Sequence, residues 1–285
     1  MTVHGGRTRS SAAPVVRTVE VPLDLEVGAD LLGEGAWRPR LSFTVAGRAH
    51  ARPIVLVHGI GSSSAYFHRL VPVLARRWRV VALDLPGFGR SPAGPHVLTV
   101  REHAEVLSAF LLEHHLTAAV LLGHSLGTQV VADVLRTPPA GTAPVSGGAV
   151  LIGPTIDDAA RSRLTQVWRI VSDAVREPVS LRLVQLLSSL VCTPRTWWQT
   201  STVMLEDPLE EALADVTGPV VLVRGARDRV APAAWVVRLA AVRPGSVVVQ
   251  VPGAGHVVHW THPEAVAELC RQLAPRTVPL VAGTP

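Results

Sequence analysis

Short apolar runs alternate with longer amphipathic stretches along most of the 285-residue chain. Ile54 to Val57, Val80 to Leu83, Ala118 to Leu122, Ala149 to Ile152, Val220 to Val223 and Val247 to Gln250 are each four or five residues long and almost purely apolar. Strands covered on both faces of a parallel sheet read this way. Between them, Tyr66 to Arg77, Thr99 to His114, Thr128 to Leu135, Ala231 to Val242 and Pro263 to Leu273 repeat apolar residues at helical spacing. Thr99 with Glu102 three residues on makes a capping box, and Pro263 suits a first helical turn. Val15 to Val27 and Leu41 to Val45 alternate instead, as strands near a sheet edge do. The order predicts an α/β fold with a mostly parallel sheet, helices on both faces and right-handed crossovers.

The alternation breaks once. From Pro154 to Val216 no strand pattern appears, and helical patches at Arg163 to Val175, Val179 to Leu190 and Thr196 to Leu205 take its place. The expected organisation is a core of residues 15–153 and 217–285 with a helical cap, residues 154–216, inserted between two strands. Residues 1–14 are rich in Gly, Ser and Arg and predict a disordered tail.

Hydrophobic residues make up 48% and charged residues 17%, which fits a chain able to bury a large core. The net charge of +5 rests on arginine alone, since there is no lysine. Those arginines are scattered apart from Arg76-Arg77-Trp78-Arg79, so a solvated surface is expected and nucleic acid is not a partner. Cys192 and Cys270 have neither disulfide-framework nor metal-ligand spacing, and free thiols in a reducing compartment are expected. No run approaches a transmembrane span or the apolar core of a signal peptide. A cytoplasmic protein of open oligomeric state is the reading.

The chemistry centres on Gly123-His124-Ser125-Leu126-Gly127, placed between an apolar strand and a helical stretch. Strand, tight turn and helix in that order make a nucleophile elbow, with small residues flanking a serine on a strained turn. A serine hydroxyl needs a base. His256, in the Gly-rich loop after the last strand, is the candidate, while His259 and His262 read as solvated or capping residues at a helix entry. His124 is expected to point away from the site by strand alternation. Asp228, just after the strand at Val220 to Val223, is the expected acid, with Asp157 and Asp158 as the alternative. The chain order Ser125, Asp228, His256 suits the elbow architecture. Oxyanion donors are expected from the amides of Leu126 and Ile60, the latter in His58-Gly59-Ile60-Gly61.

With Asp84-Leu85-Pro86-Gly87-Phe88-Gly89-Arg90-Ser91, Gly225-Ala226-Arg227-Asp228 and Gly253-Ala254-Gly255-His256 added, the chain from about residue 40 to 273 resembles the α/β-hydrolase superfamily. The resemblance implies an eight-stranded sheet with one antiparallel early strand, a helical lid after the sixth strand, and a Ser-His-Asp triad that needs no cofactor or metal. It implies a serine hydrolase that cleaves a carboxylic ester or related acyl substrate with an apolar part, through an acyl-enzyme on Ser125. The alternatives are a C–C bond hydrolase, a cofactor-free perhydrolase, or a non-catalytic binding or signalling module on the same fold. A serine at the elbow argues against the epoxide hydrolases and haloalkane dehalogenases of the superfamily. In the cap, Trp168, Trp197 and Trp198, with Leu181, Leu183, Leu186, Leu187 and Leu190, either face the cleft or pack the cap on the sheet. His58, Gly59 and His124 are further candidates for substrate contact. Arg169 and Arg182 are candidates to meet a substrate carboxylate.

Overall fold

The computed structural model describes residues 17–22, 37–136, 147–174, 180–181 and 192–273. Eight strands form one sheet: β1 (Arg17–Pro22), β2 (Arg40–Ala46), β3 (Pro53–Val57), β4 (Arg79–Leu83), β5 (Val120–His124), β6 (Ala149–Ile152), β7 (Val220–Gly225) and β8 (Val247–Val251), in the spatial order 1-2-4-3-5-6-7-8. β2 is antiparallel to both neighbours, and every pairing from β4 onward is parallel. The expected α/β-hydrolase fold, with one reversed early strand, is present.

Burial on both faces explains the apolar runs of β3 to β7; β8, at the sheet edge, departs from this, with Val247 and Val248 exposed. Ile54 and Leu56 of β3 pack with Leu70 and Leu74 of α1 (Leu70–Leu74) and with Val266 and Cys270 of α9 (Pro263–Leu273). Val55 and Val57 face the other way, toward Phe110 of α2 (Val100–Glu113), Val130 of α3 (Leu126–Arg136) and Trp235 of α7 (Ala233–Val242). Full burial of each such side chain contributes about 1.5–3 kcal/mol. The first helical stretch is shorter than its pattern suggests, splitting into a 3-10 turn at Ser64–Phe67 and α1. Pro72 explains the split: it lacks an N–H, so the helix containing it must begin within the turn before.

Between β6 and β7 lie α4 (Arg163–Ala174), α5 (Pro194–Glu206) and the short α6 (Leu209–Ala214), which the apolar pattern did not reveal. Most of the expected patch from Val179 to Leu190 lies outside the described residues. α8 (Val258–Thr261) precedes α9. Leu181 packs with Tyr66, Val257 and Trp260. Among the described residues no helix is long and apolar enough to cross a membrane.

The capping box at α2 forms as expected. Thr99 accepts from the Glu102 amide at 3.1 Å, and the Glu102 carboxylate accepts from the Thr99 amide at 2.6 Å. Replacing Thr99 with Ala is expected to cost about 1 kcal/mol in urea unfolding while leaving the native spectrum unchanged.

Candidate active site

The turn from β5 into α3 carries Ser125 at a φ of 54°, a left-handed conformation that L residues adopt only when held there. Its N–H donates to the Ile152 carbonyl of β6 at 3.0 Å. Its carbonyl accepts from the Thr128 amide at 2.8 Å and the Thr128 hydroxyl at 2.6 Å. Close backbone approach does the rest. A Cβ at Gly123 would lie 2.3 Å from the Gly127 oxygen, and one at Gly127 would lie 2.3 Å from the Val57 oxygen. The strand ends and the helix start therefore cross with nothing between them, and Ser125 stands at the positive end of α3. Gly59, after β3, lies against the Ser125 side chain.

His256 follows β8, and its ring lies against Gly153 at the end of β6. His256 Nδ1 is 3.0 Å from Asp228 Oδ2. The other Asp228 oxygen, Oδ1, accepts from the amides of Val230 at 2.8 Å and Ala231 at 2.9 Å. With Nδ1–H donating to the carboxylate, Nε2 is left as the acceptor. Ser125, Asp228 and His256 thus sit at the carboxyl ends of β5, β7 and β8, where open parallel sheets bind ligands. Asp157 and Asp158 are engaged elsewhere. Arg169 donates to Asp157 at 2.9 Å, and Arg238 donates to Asp157 at 2.5 Å and to Asp158 at 2.6 Å. Arg169 is thereby neutralised, and Arg182 lies outside the described residues.

Ser125 lines a narrow cavity of about 30 Å³ with Ile60, Ile156, Ile170, Trp197, Met204 and Val230, and with Arg163 and Gln166 of α4. That space holds a water or two. Of the three candidate tryptophans only Trp197 faces it. Trp168 and Trp198 are 62% and 50% exposed, under the guanidinium groups of Arg229 and Arg163 respectively. Successive residues on a helix diverge by about 100°, so Trp197 and Trp198 cannot share one face.

The histidines depart most from the expectations. His58 is fully buried, its Nδ1 2.8 Å from the Gly59 carbonyl and its Nε2 accepting from the Leu85 amide at 3.0 Å, so both ring nitrogens are engaged within the protein. Nor does His124 point away from the base. It is buried below His256, with ring centroids 4.8 Å apart and Nε2 3.3 Å from the His256 carbonyl. His259 is not solvated but fully buried among Tyr66, Phe67 and His124. The side chain of His262 bonds Thr261.

Supporting residues escaped the sequence pattern. Arg224, buried under the acid loop, donates to the carbonyls of Ala231 at 3.0 Å and Asp228 at 3.1 Å, and its guanidinium also bonds Gln250. An arginine inside an otherwise apolar strand is the signal that marks it. Gln129 of α3 donates to the Met204 and Asp207 carbonyls at 2.9 Å each, fastening α3 to the end of α5. The Asp84 carboxylate accepts from the amides of Ser64 and Arg90, which ties the loops after β3 and β4 together. Among the described residues no cluster has the makings of a metal site.

Residues 54–269 match a model of the alpha/beta hydrolase family. The chain is 30% identical over 245 residues to a pimeloyl-[acyl-carrier protein] methyl ester esterase of Aromatoleum aromaticum, covering 76% of this chain and 95% of that protein. It is 28% identical over 255 residues to a 2-(acetamidomethylene)succinate hydrolase of Mesorhizobium japonicum, covering 79% and 88%. A bromoperoxidase from Bacillus anthracis superposes with a TM-score of 0.73 at 18% identity, over 90% of this chain and 99% of that one, a likeness of fold.

Burial holds His58 and His124 below the ordinary histidine range and pushes His103 and His259 down to about 3. These rings are neutral in the folded protein and titrate near 6.5 when unfolded. The unfolded state therefore binds more protons between about pH 6.5 and 3, and stability is lost as pH falls through that window. Thermal unfolding is expected to be flat above pH 7 and to fall by several degrees between pH 6.5 and 5, above the range where most carboxylates titrate. A midpoint constant down to pH 5 would contradict the neutral, buried rings.

Proposed function

Because the chain belongs to the alpha/beta hydrolase family, we propose that it is a serine hydrolase that cleaves a small carboxylic ester or related acyl substrate with an apolar part, through an acyl-enzyme on Ser125. The observation that carries the reading is the Asp228–His256 hydrogen bond beside a serine held at φ 54° on an apolar cavity. Ser125 Oγ attacks the acyl carbon as His256 Nε2 takes its proton, and the imidazolium then protonates the leaving alcohol. Water repeats the sequence on the acyl-enzyme, which releases the acid and returns the proton. Asp228 holds the tautomer and stabilises the imidazolium. The amides of Ile60 and Leu126 bind the oxyanion, each such donor being worth about 2.7–4 kcal/mol where measured.

Residues 154–216 act as the cap over a core of residues 15–153 and 217–285, and residues 1–14 fall outside the described structure. The inserted helices α4 and α5 supply Arg163, Gln166, Ile170, Trp197 and Met204 to the cavity wall, so they shape the space that receives the substrate. The relative named a methyl ester esterase supports ester chemistry. Buried free Cys192 and Cys270 suit a reducing, cytoplasmic compartment.

The test is turnover of p-nitrophenyl esters of graded chain length by the wild type and by Ser125→Ala and Asp228→Asn. Turnover should vanish in the first and fall about 10³–10⁴-fold in the second. Wild-type rates in Ser125→Ala would overturn the assignment.

A further inference from the structure

One carboxylate reaches the candidate catalytic loops from the inserted helices. Asp173, in the last turn of α4, is 3% exposed. Its Oδ2 accepts from the backbone N–H of His256 at 3.1 Å, and its Oδ1 from that of Arg229 at 3.4 Å. These amides belong to two separate loops, one carrying His256 and the other following Asp228. A carboxylate at a helix C-terminus meets the negative end of the dipole, and burying it costs more still. Helix stability therefore gives no reason for an acid here. The two amides do, since hydrogen bonds to an ionised acceptor are the strong ones.

We propose that Asp173 is a positioning residue that docks the insertion on both loops and places a negative charge beside His256, favouring the imidazolium formed during catalysis. This rests on the reading of His256 as the general base. Among the described residues, the other titratable or charged groups around His256 include Asp228 on the loop after β7, His124 at the end of β5, His259 in α8, and Arg229, whose guanidinium lies over Trp168. The two histidines are kept neutral by burial, so of these groups Asp228 and Asp173 are the negative ones.

The experiment is the pH profile of kcat/KM for p-nitrophenyl acetate, a short-chain ester. It compares the wild type with Asp173→Asn and Asp173→Ser, each checked as folded by circular dichroism, and with Ser125→Ala as control. Both Asp173 variants should lose about tenfold on the plateau. Because removing a negative charge disfavours the imidazolium, their acidic limb should also move about half a pH unit lower. Merely structural damage scales the rate equally at every pH. A lowered plateau with an unmoved limb in both variants, or a wild-type profile in both, would overturn the proposal while leaving the hydrolase reading intact. Full turnover in Ser125→Ala would remove that reading and this proposal with it.

Discussion

Everything at this site depends on how closely three backbones meet at the end of β5. Gly123 and Gly127 let α3 start against the carbonyl of Val57, and the hydrogen bonds from Ser125 to Ile152 and from Thr128 to Ser125 hold the turn in a conformation its side chain disfavours. The strain is offset by the most deeply buried part of the molecule, since β3, β5 and β6 are apolar on both faces. A side chain added at either glycine would move the helix, and with it the direction of the hydroxyl. The chemistry is therefore built on the core, not on the loops alone.

The candidate acid Asp228 and the candidate base His256 come from loops, and each loop is braced separately. Arg224 holds the acid loop from below, and His124 meets the base loop from the end of β5. The inserted helices are fastened to the same region: Gln129 grips the end of α5, and Arg169 ties α4 to Asp157 after β6. The inserted helices and the strand ends therefore form facing walls of one cavity at Ser125.

The parts legible in the sequence are those whose signal is local. Five buried strands and the exposed β8 stand out because each is a short apolar run, α2 because its capping box is spelled by Thr99 and Glu102, and the elbow because five consecutive residues specify it. Asp228 and His256 stand out as candidates because each follows a strand, where the sheet's carboxyl ends gather. What was missed depends on contacts between distant segments. Nothing around His259 distinguishes a ring enclosed by Tyr66, Phe67 and His124 from one in water. Trp197 and Trp198 have the same chemistry, and only the seating of α5 sends one inward. Asp173 is one acid in an amphipathic helix, and its significance comes from two amides that lie 56 and 83 residues further along.

Covalent capture separates an activated Ser125 from an ordinary buried hydroxyl. The protein is treated with a fluorophosphonate, digested, and the adduct located by mass spectrometry. The account predicts a single phosphonylated site, Ser125, with no labelling after heat unfolding. Well-folded protein that stays unlabelled, or that carries its adduct on another residue, would contradict it.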